Sequence, residues 1–180
     1  MRRRRGWNDW TKVGLTGRRQ PGIAAGQSGI LVCMQLTLAH VGSAAKDGYE
    51  GLIQGYLERC AGFAQCESRA LRSEQALLEW LGRQRGRTAA VAVLLDSRGR
   101  QMSSEALAAW LGSRRDEGSQ HLVFAIGPAD GWSEEARGRA RLLLSLGPMT
   151  LAHSLARLVM AEQIYRAYTI LAGHPYHGGH

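Results

Sequence analysis

Three polar, ring-bearing side chains stand at the extreme carboxyl end of the chain. His174, Tyr176 and His177 follow the long amphipathic stretch 153–172. An imidazole can exchange a proton near neutral pH, and a phenol can stack or take part in a hydrogen bond. Chain ends normally fray and need no such chemistry. These residues therefore indicate that the carboxyl tail has a task.

Three small-residue loops next to predicted strands are candidates for a ligand site. Leu95-Asp96 closes one apolar run, the loop 126–131 follows another, and the loop 146–151 precedes the final helix. In open α/β sheets, ligands bind at the carboxyl ends of strands. Neither GxGxxG nor GxxxxGK spacing is present, which excludes the common nucleotide sites. We expect the three loops to converge on one pocket, where backbone N–H and C=O groups contact the ligand.

The apolar pattern from residue 34 onward predicts an α/β fold with a mainly parallel sheet. Strands are predicted at 34–42, 63–71, 89–96, 120–126 and 148–151. Helices are predicted after caps at Asp47, Ser73, Ser103 and Ser133, with a final one at 153–172. The helix after Ser133 is expected to run to about residue 144. Apolar strands that alternate with helices are typical of a parallel sheet flanked by helices.

Length and composition predict one soluble domain. The 180 residues are 44% hydrophobic and 21% charged, which is typical of a globular protein. No apolar run is long enough to cross a bilayer. The three cysteines are too few for a disulfide framework, and Cys60 and Cys66 lack partners at metal-ligand spacing. We therefore expect a cytoplasmic protein with idle thiols and no metal.

Most of the positive charge belongs to the first 33 residues. They hold seven basic side chains and one acidic one, so +6 of the net charge of +8 lies there and residues 34–180 supply only +2. A body of this charge is compatible with RNA but does not argue for it. Three interpretations of the leader are open: a start codon assigned too far upstream, a disordered basic arm that touches RNA phosphates, or an organelle transit peptide. Met34 opens directly into a strand, which favours the first.

The final helix carries charged residues that have simple local explanations. Glu162 and Arg166 are four residues apart, so a pair on a solvated face is the expected arrangement. Arg157 can be similar, and His153 can be a helix-start residue without any chemistry. The tail residues are the ones that such explanations account for least.

These segments, taken in order, resemble a known family of enzymes. The matching strings are Met34-Gln35-Leu36 to Gly42, Leu95 to Gly99, Met102 to Glu105, Phe124 to Gly131, Leu144 to His153, Arg157, Glu162 to Ala167, and Pro175-Tyr176-His177. In them the chain is similar to the bacterial 23S rRNA pseudouridine N3-methyltransferases of the SPOUT superfamily. The similarity covers residues 34–180, and its last segment is the most specific.

The resemblance implies a fold, a cofactor and a substrate. The fold is expected to be a SPOUT-type trefoil-knotted α/β domain over residues 34–180, an exception to the rule that chains do not thread loops, and to work as a homodimer. The methyl donor is expected to be S-adenosyl-L-methionine, contacted by Leu95, Gly127, Leu146, Gly147, Pro148, Met149, Thr150 and Leu151. The acceptor is expected to be N3 of pseudouridine 1915, in a stem-loop of 23S rRNA on the assembled ribosome.

The resemblance also implies roles for the tail and the final helix. His177 is expected to remove the N3 proton or orient the substrate, and Tyr176 to stack or hydrogen-bond. The residues expected to contact RNA are His153, Arg157 and Arg166.

Two departures from the family pattern bear on efficiency. Gly178-Gly179-His180 follows His177 where the family usually has Lys or Arg. Pro128 stands where the family usually has a second Gly, and proline removes an N–H donor and fixes φ. Two other readings are open: a non-catalytic SPOUT protein that binds the ribosome, and a SPOUT methyltransferase that acts on another RNA.

Overall fold

A computed structural model of the protein describes residues 34–43, 48–84 and 88–178, without the side chain of His177. Residues 1–33, on which the three leader interpretations rest, and the predicted cap Asp47 lie outside the described residues. Among the helices of the described ranges, none is both long and apolar enough to cross a membrane.

The described residues form five parallel strands and five α-helices. The strands are β1 (Gln35–Val41), β2 (Gln65–Leu71), β3 (Val91–Gln101), β4 (His121–Ile126) and β5 (Leu142–Ser145). The helices are α1 (Tyr49–Arg59), α2 (Glu74–Arg83), α3 (Ser104–Asp116), α4 (Glu134–Arg139) and α5 (His153–Leu171), with short 3₁₀ turns at Cys60–Gly62 and Pro175–Gly178. The sheet order is β2-β1-β4-β3-β5, and all four pairings are parallel. The expected α/β fold with a mainly parallel sheet is confirmed.

The central strands bury side chains on both faces, because residues alternate between two helical layers. On β4, Leu122 and Phe124 join one core with α1, α3 and α5, whereas Val123 and Ala125 join a second core with α2 and α4. All six residues of β4 are buried. This explains the unbroken apolar runs in the sequence. Cys60 is a fully buried member of the first core.

Serine caps begin three of the helices, as predicted. The hydroxyl oxygens of Ser73, Ser103 and Ser133 each accept a hydrogen bond from the backbone N–H three residues later, at 3.1 Å. Each bond satisfies a donor that the first helical turn leaves without a partner. The caps fix where α2, α3 and α4 start relative to the strands before them.

Two of the predicted elements are wrong. The helix after Ser133 ends at Arg139 instead of reaching residue 144, and the last strand is β5, not residues 148–151, which form a loop. Ala140 already has an extended backbone, and Arg141 N–H donates to the Ala92 carbonyl at 2.8 Å. Pairing of the apolar segment 142–145 with β3 outweighs the helical charge pattern that suggested a longer helix.

Strand β3 extends beyond its predicted end at Asp96 and meets β5 twice. Leu144 pairs first with Leu95 and again with Arg100, so residues 96–99 form a bulge between the two pairings. Gly99 lies directly on β5, where an added Cβ would be 2.6 Å from the carbonyl carbon of Leu143. Only glycine allows two backbones to approach this closely.

Candidate active site

A cleft of about 750 Å³ opens at the carboxyl edge of the sheet. We call it the strand-end cleft; its lining residues come from 95–98, 126–132, 137, 144–147, 149–153 and 156. Seven of the eight residues predicted to contact the cofactor line it: Leu95, Gly127, Leu146, Gly147, Met149, Thr150 and Leu151. Pro148 is not among them. The structure therefore brings the three predicted loops together around one cavity.

Backbone geometry and one indole shape this cleft. Gly147 has φ +125°, a conformation that L side chains rarely adopt. At Gly127, an added Cβ would be 2.8 Å from the ring of Trp132. The Trp132 ring N–H in turn donates to the Leu95 carbonyl at 2.8 Å. Trp132 thus links Leu95 of β3 to the loop after β4, and its ring leaves no space for a side chain at position 127.

An ion pair forms the charged wall of the cleft. Asp96 is 9% exposed, and Arg137 Nε donates to its Oδ2 at 2.8 Å. The Arg98 backbone N–H donates to Oδ1, also at 2.8 Å. Burial by itself raises the pKa of the Asp96 carboxyl, but these bonds outweigh it and hold the pKa below its ordinary value. The wall therefore carries a fixed negative charge compensated by Arg137.

A pair of neutral histidines connects the cleft with the core. His153 begins α5 and lines the cavity, and His40 at the end of β1 is 2% exposed with its ring 5.7 Å from that of His153. Among the described residues, neither ring nitrogen of His40 nor Nε2 of His153 has a hydrogen-bond partner. Burial and the nearby Arg157 lower the pKa of both groups, that of His40 to about 4. Both imidazoles are uncharged at neutral pH.

Arg157, expected at an RNA contact, is instead a core residue. It is 2% exposed, and its Nη2 donates to Glu50 Oε2 at 2.9 Å and to Ser68 Oγ at 3.4 Å. The expected contact with RNA does not fit this burial, because the guanidinium is enclosed by α1, β2 and α5. A buried charge needs such a partner, and the pair ties α1 to α5.

The carboxyl tail packs against the second half of α5. The Tyr176 hydroxyl donates to Glu162 Oε1 at 3.3 Å, its ring lies 4.8 Å from that of Tyr165, and the Arg166 guanidinium lies 5.2 Å from the same ring. The predicted pair of Glu162 and Arg166 is present at 2.8 Å but half-buried rather than on a solvated face. Burial and a hydrogen bond with Tyr56 raise the pKa of Tyr176 to about 12. The phenol is therefore a hydrogen-bond donor at neutral pH, not a base.

A second cleft, of about 340 Å³, lies between α3 and α5. We call it the α3–α5 cleft; it is lined by Gln101, Met102, Ser103, Ser104, Leu107, Leu144, Ser145, Leu146, Gly147, Val159, Met160 and Gln163. The segment Leu144–Gly147 belongs to both clefts. Sequence reasoning missed Gln163, because its contact with Ser104 joins residues 59 positions apart and no local pattern indicates it.

Comparison with known proteins agrees with this fold. A family model described as "Predicted SPOUT methyltransferase" matches residues 34–177. A protein named Ribosomal RNA large subunit methyltransferase H, from Koribacter versatilis (strain Ellin345), is 50% identical over 147 residues, which are 82% of this chain and 100% of that one. The protein of the same name from Rhodospirillum centenum (strain ATCC 51521 / SW) is 58% identical over 88 residues, 49% of this chain and 58% of that one.

Among solved structures, a probable methylase family protein from Haemophilus influenzae Rd KW20 shares the fold. Its TM-score is 0.50 at 10% identity, over 82% of this chain and 71% of that one. A parallel sheet with its cleft at the strand ends defines an α/β protein with a small-molecule site. The chain belongs to the SPOUT methyltransferase family. This confirms the resemblance, the methyltransferase class and the S-adenosyl-L-methionine cofactor expected from the sequence.

Proposed function

We propose that the protein methylates N3 of a pseudouridine, position 1915, in a stem-loop of 23S rRNA on the assembled ribosome. The observation that supports this most directly is the convergence of seven predicted cofactor residues on the strand-end cleft. A relative that is 50% identical is named as a methyltransferase of large-subunit ribosomal RNA. We further propose that the domain spans residues 34–180, works in the cytoplasm and has the trefoil knot of its family; the close crossing of β3 and β5 at Gly99 is compatible with such threading.

The residues of the strand-end cleft fit S-adenosyl-L-methionine. A volume of about 750 Å³ lies within the usual range for small-molecule sites. Glycine-rich backbone at residues 127 and 147 lets a ligand approach main-chain N–H and C=O groups closely. Asp96 and Arg137 at the wall match a ligand that carries an ammonium and a carboxylate group.

The bound donor supplies a methyl group activated by its sulfonium centre. The contribution of the protein is then mainly geometric, because aligned reactants can remove roughly 7–11 kcal/mol of a barrier. Tyr176 donates its one hydroxyl proton to Glu162, so we assign it stacking on the base through its ring. We assign removal of the N3 proton to His177, and contact with RNA at the site to His153 and Arg166.

The homodimer is part of the proposal. Leu155 and Leu158, three residues apart on α5, are only partly buried, and Leu52 on the neighbouring α1 is 56% exposed. Residues at this spacing share one helix face. Apolar side chains grouped on packed helices are the kind of surface that a second copy covers.

Ribosomes from a strain that lacks this methyltransferase test the proposal. We expect the purified protein to transfer one methyl group from labelled S-adenosyl-L-methionine to each ribosome, with the label mapped by mass spectrometry to N3 of that pseudouridine. A label on another nucleotide would point to a SPOUT methyltransferase for a different RNA. Ribosome binding without transfer would indicate a non-catalytic protein, in line with the Gly178-Gly179-His180 ending.

A further inference from the structure

We propose that the α3–α5 cleft receives the base to be methylated, and that the Gln163 amide reads an edge of that base. The inference rests on the proposed function and names the part of the molecule that selects the substrate. Three observations support it: the position of the cleft, the uncharged polar residues that line it, and the hydrogen bonds that connect it to the tail.

The position of the cleft suits the acceptor. In a methyl transfer the acceptor atom must lie about 3–3.5 Å from the methyl carbon, in line with the bond that breaks. The base must therefore sit against the donor site. Leu144–Gly147 forms a wall of both the strand-end cleft and the α3–α5 cleft. A donor in the first and a base in the second would meet at this segment.

The lining of the cleft suits a neutral base. None of its twelve described lining residues carries a charge, and five of them have uncharged hydrogen-bonding side chains: Gln101, Ser103, Ser104, Ser145 and Gln163. Phosphate groups are contacted mostly by arginine and lysine, whereas bases are read by groups that match their edges. A volume of about 340 Å³ lies at the lower end of the range for small-ligand sites.

The Gln163 amide is held in one orientation. The Ser104 hydroxyl donates to its Oε1 at 2.7 Å, and its Nε2 donates to Glu162 Oε2 at 2.7 Å. One N–H and one acceptor lone pair of the amide remain for a ligand. Pseudouridine offers N1–H beside a carbonyl on the edge that does not carry N3, and in uridine N1 bonds the ribose. A fixed amide can therefore distinguish the two bases.

The same hydrogen bonds connect the cleft with the carboxyl tail. Glu162 accepts from Gln163 through Oε2 and from the Tyr176 hydroxyl through Oε1, at 3.3 Å. A continuous chain of hydrogen bonds thus runs from Ser104 at the cleft to Tyr176 in the tail. A tail residue placed in this way can affect how the base is held without touching the donor loops.

The test is the variant Gln163→Met, which keeps the length of the side chain and removes its hydrogen bonds. We expect KM for ribosomes to rise about tenfold, and the preference for ribosomes carrying pseudouridine over ribosomes carrying uridine at that position to fall about tenfold. Ribosomes of the second kind come from a strain without the pseudouridine synthase. Affinity for S-adenosyl-L-methionine, measured by calorimetry, should stay within about twofold of wild type.

Binding without the donor gives a second readout. The affinity of Gln163→Met for a pseudouridine-bearing hairpin RNA, measured by fluorescence anisotropy, should fall by a similar factor. Ser104→Ala should show the same pattern with smaller changes. It replaces Gln163→Met as the test variant if Gln163→Met unfolds below the assay temperature. The matched control is Gln75→Met on α2, because Gln75 also donates to a glutamate, Glu79 at 3.3 Å, but lines neither cleft. It should behave as wild type.

Two results would overturn the inference. One is a Gln163→Met protein with unchanged KM and unchanged preference for pseudouridine. The other is a variant that loses donor affinity as much as it loses methylation, which would assign Gln163 to the donor site. A wild-type protein that fails to methylate ribosomes would refute the proposed function itself, and the inference with it.

Discussion

The two clefts of this molecule share one wall but are built in different ways. The strand-end cleft consists largely of loop backbone with glycines at 127 and 147, and its charged pair of Asp96 and Arg137 lies at the wall. The α3–α5 cleft is uncharged, and its shape depends on side chains from two helices far apart in sequence, joined by Ser104 and Gln163. A site built from backbone is suited to bind a donor that a whole family shares. A site built from side chains is suited to select one acceptor.

Removal of residues 176–180 should distinguish the functions of the two clefts most strongly, because it should impair methylation without impairing donor binding. Tyr176 is hydrogen-bonded to Glu162, beside the α3–α5 cleft, and the described part of the tail contributes nothing to the lining of the strand-end cleft. We expect methylation of ribosomes to fall by at least about 100-fold, and calorimetric affinity for S-adenosyl-L-methionine to remain near normal. Full activity of the truncated protein would show that the tail has no role in the reaction.

Gly127→Ala should have the opposite effect, because it should weaken binding of the donor and leave RNA binding intact. Its Cβ would be 2.8 Å from the Trp132 ring, so the indole and the Leu95 carbonyl that it holds must shift. Overpacking of this kind typically costs about 1–3 kcal/mol, and we expect a loss of donor affinity of about tenfold or more, with hairpin RNA binding retained. Gly138→Ala on α4 is the control, since nothing lies within 4 Å of its added Cβ. Unchanged donor affinity in Gly127→Ala would show that the loop at Gly127 does not belong to the donor site.

His40→Leu should make the pH dependence of stability weaker. The folded protein holds the pKa of His40 near 4 instead of 6.5, so between these values the unfolded chain binds the proton more tightly and wild-type stability falls as the pH falls. From pH 7 to pH 4.5 this loss amounts to about 2–3 kcal/mol, and it should be absent in the variant. Urea unfolding of both proteins at the two pH values measures it. An identical pH dependence would contradict the burial of a neutral imidazole next to His153.

Tyr176→Phe should give the smallest effect. It keeps the ring contacts with Tyr165 and Arg166 but loses the hydrogen bonds with Glu162 and Tyr56. We expect methylation to fall about three- to fivefold with donor affinity unchanged, as measured by steady-state kinetics and calorimetry. A fall as large as that of the truncated protein would assign the whole effect of the tail to this hydroxyl.

The features that local sequence patterns determine could be predicted from the sequence. The caps Ser73, Ser103 and Ser133, the buried strand β4 and the convergence of three loops at the strand ends all follow from periodicity and turn residues. The position of β5 was predicted wrongly, because its four uncharged residues directly follow a segment with a helical charge pattern and only pairing with β3 reveals a strand.

Long-range packing decided the remaining features of the site. The burial of Arg157 depends on Glu50, which lies 107 residues earlier. The orientation of Gln163 depends on Ser104, in another helix. Neither residue differs in type or spacing from an ordinary solvent-exposed side chain, so no local pattern could indicate its place. The same holds for His40, whose neighbour His153 comes from the far end of the chain.

A crystal structure of the protein with S-adenosylhomocysteine tests the central claim most directly. We expect the adenosine part to lie among Leu95, Gly127 and residues 146–151, with the sulfur facing the shared wall Leu144–Gly147 and, beyond it, the α3–α5 cleft. A ligand bound elsewhere, or a sulfur directed away from that wall, would contradict the claim that donor and base meet there.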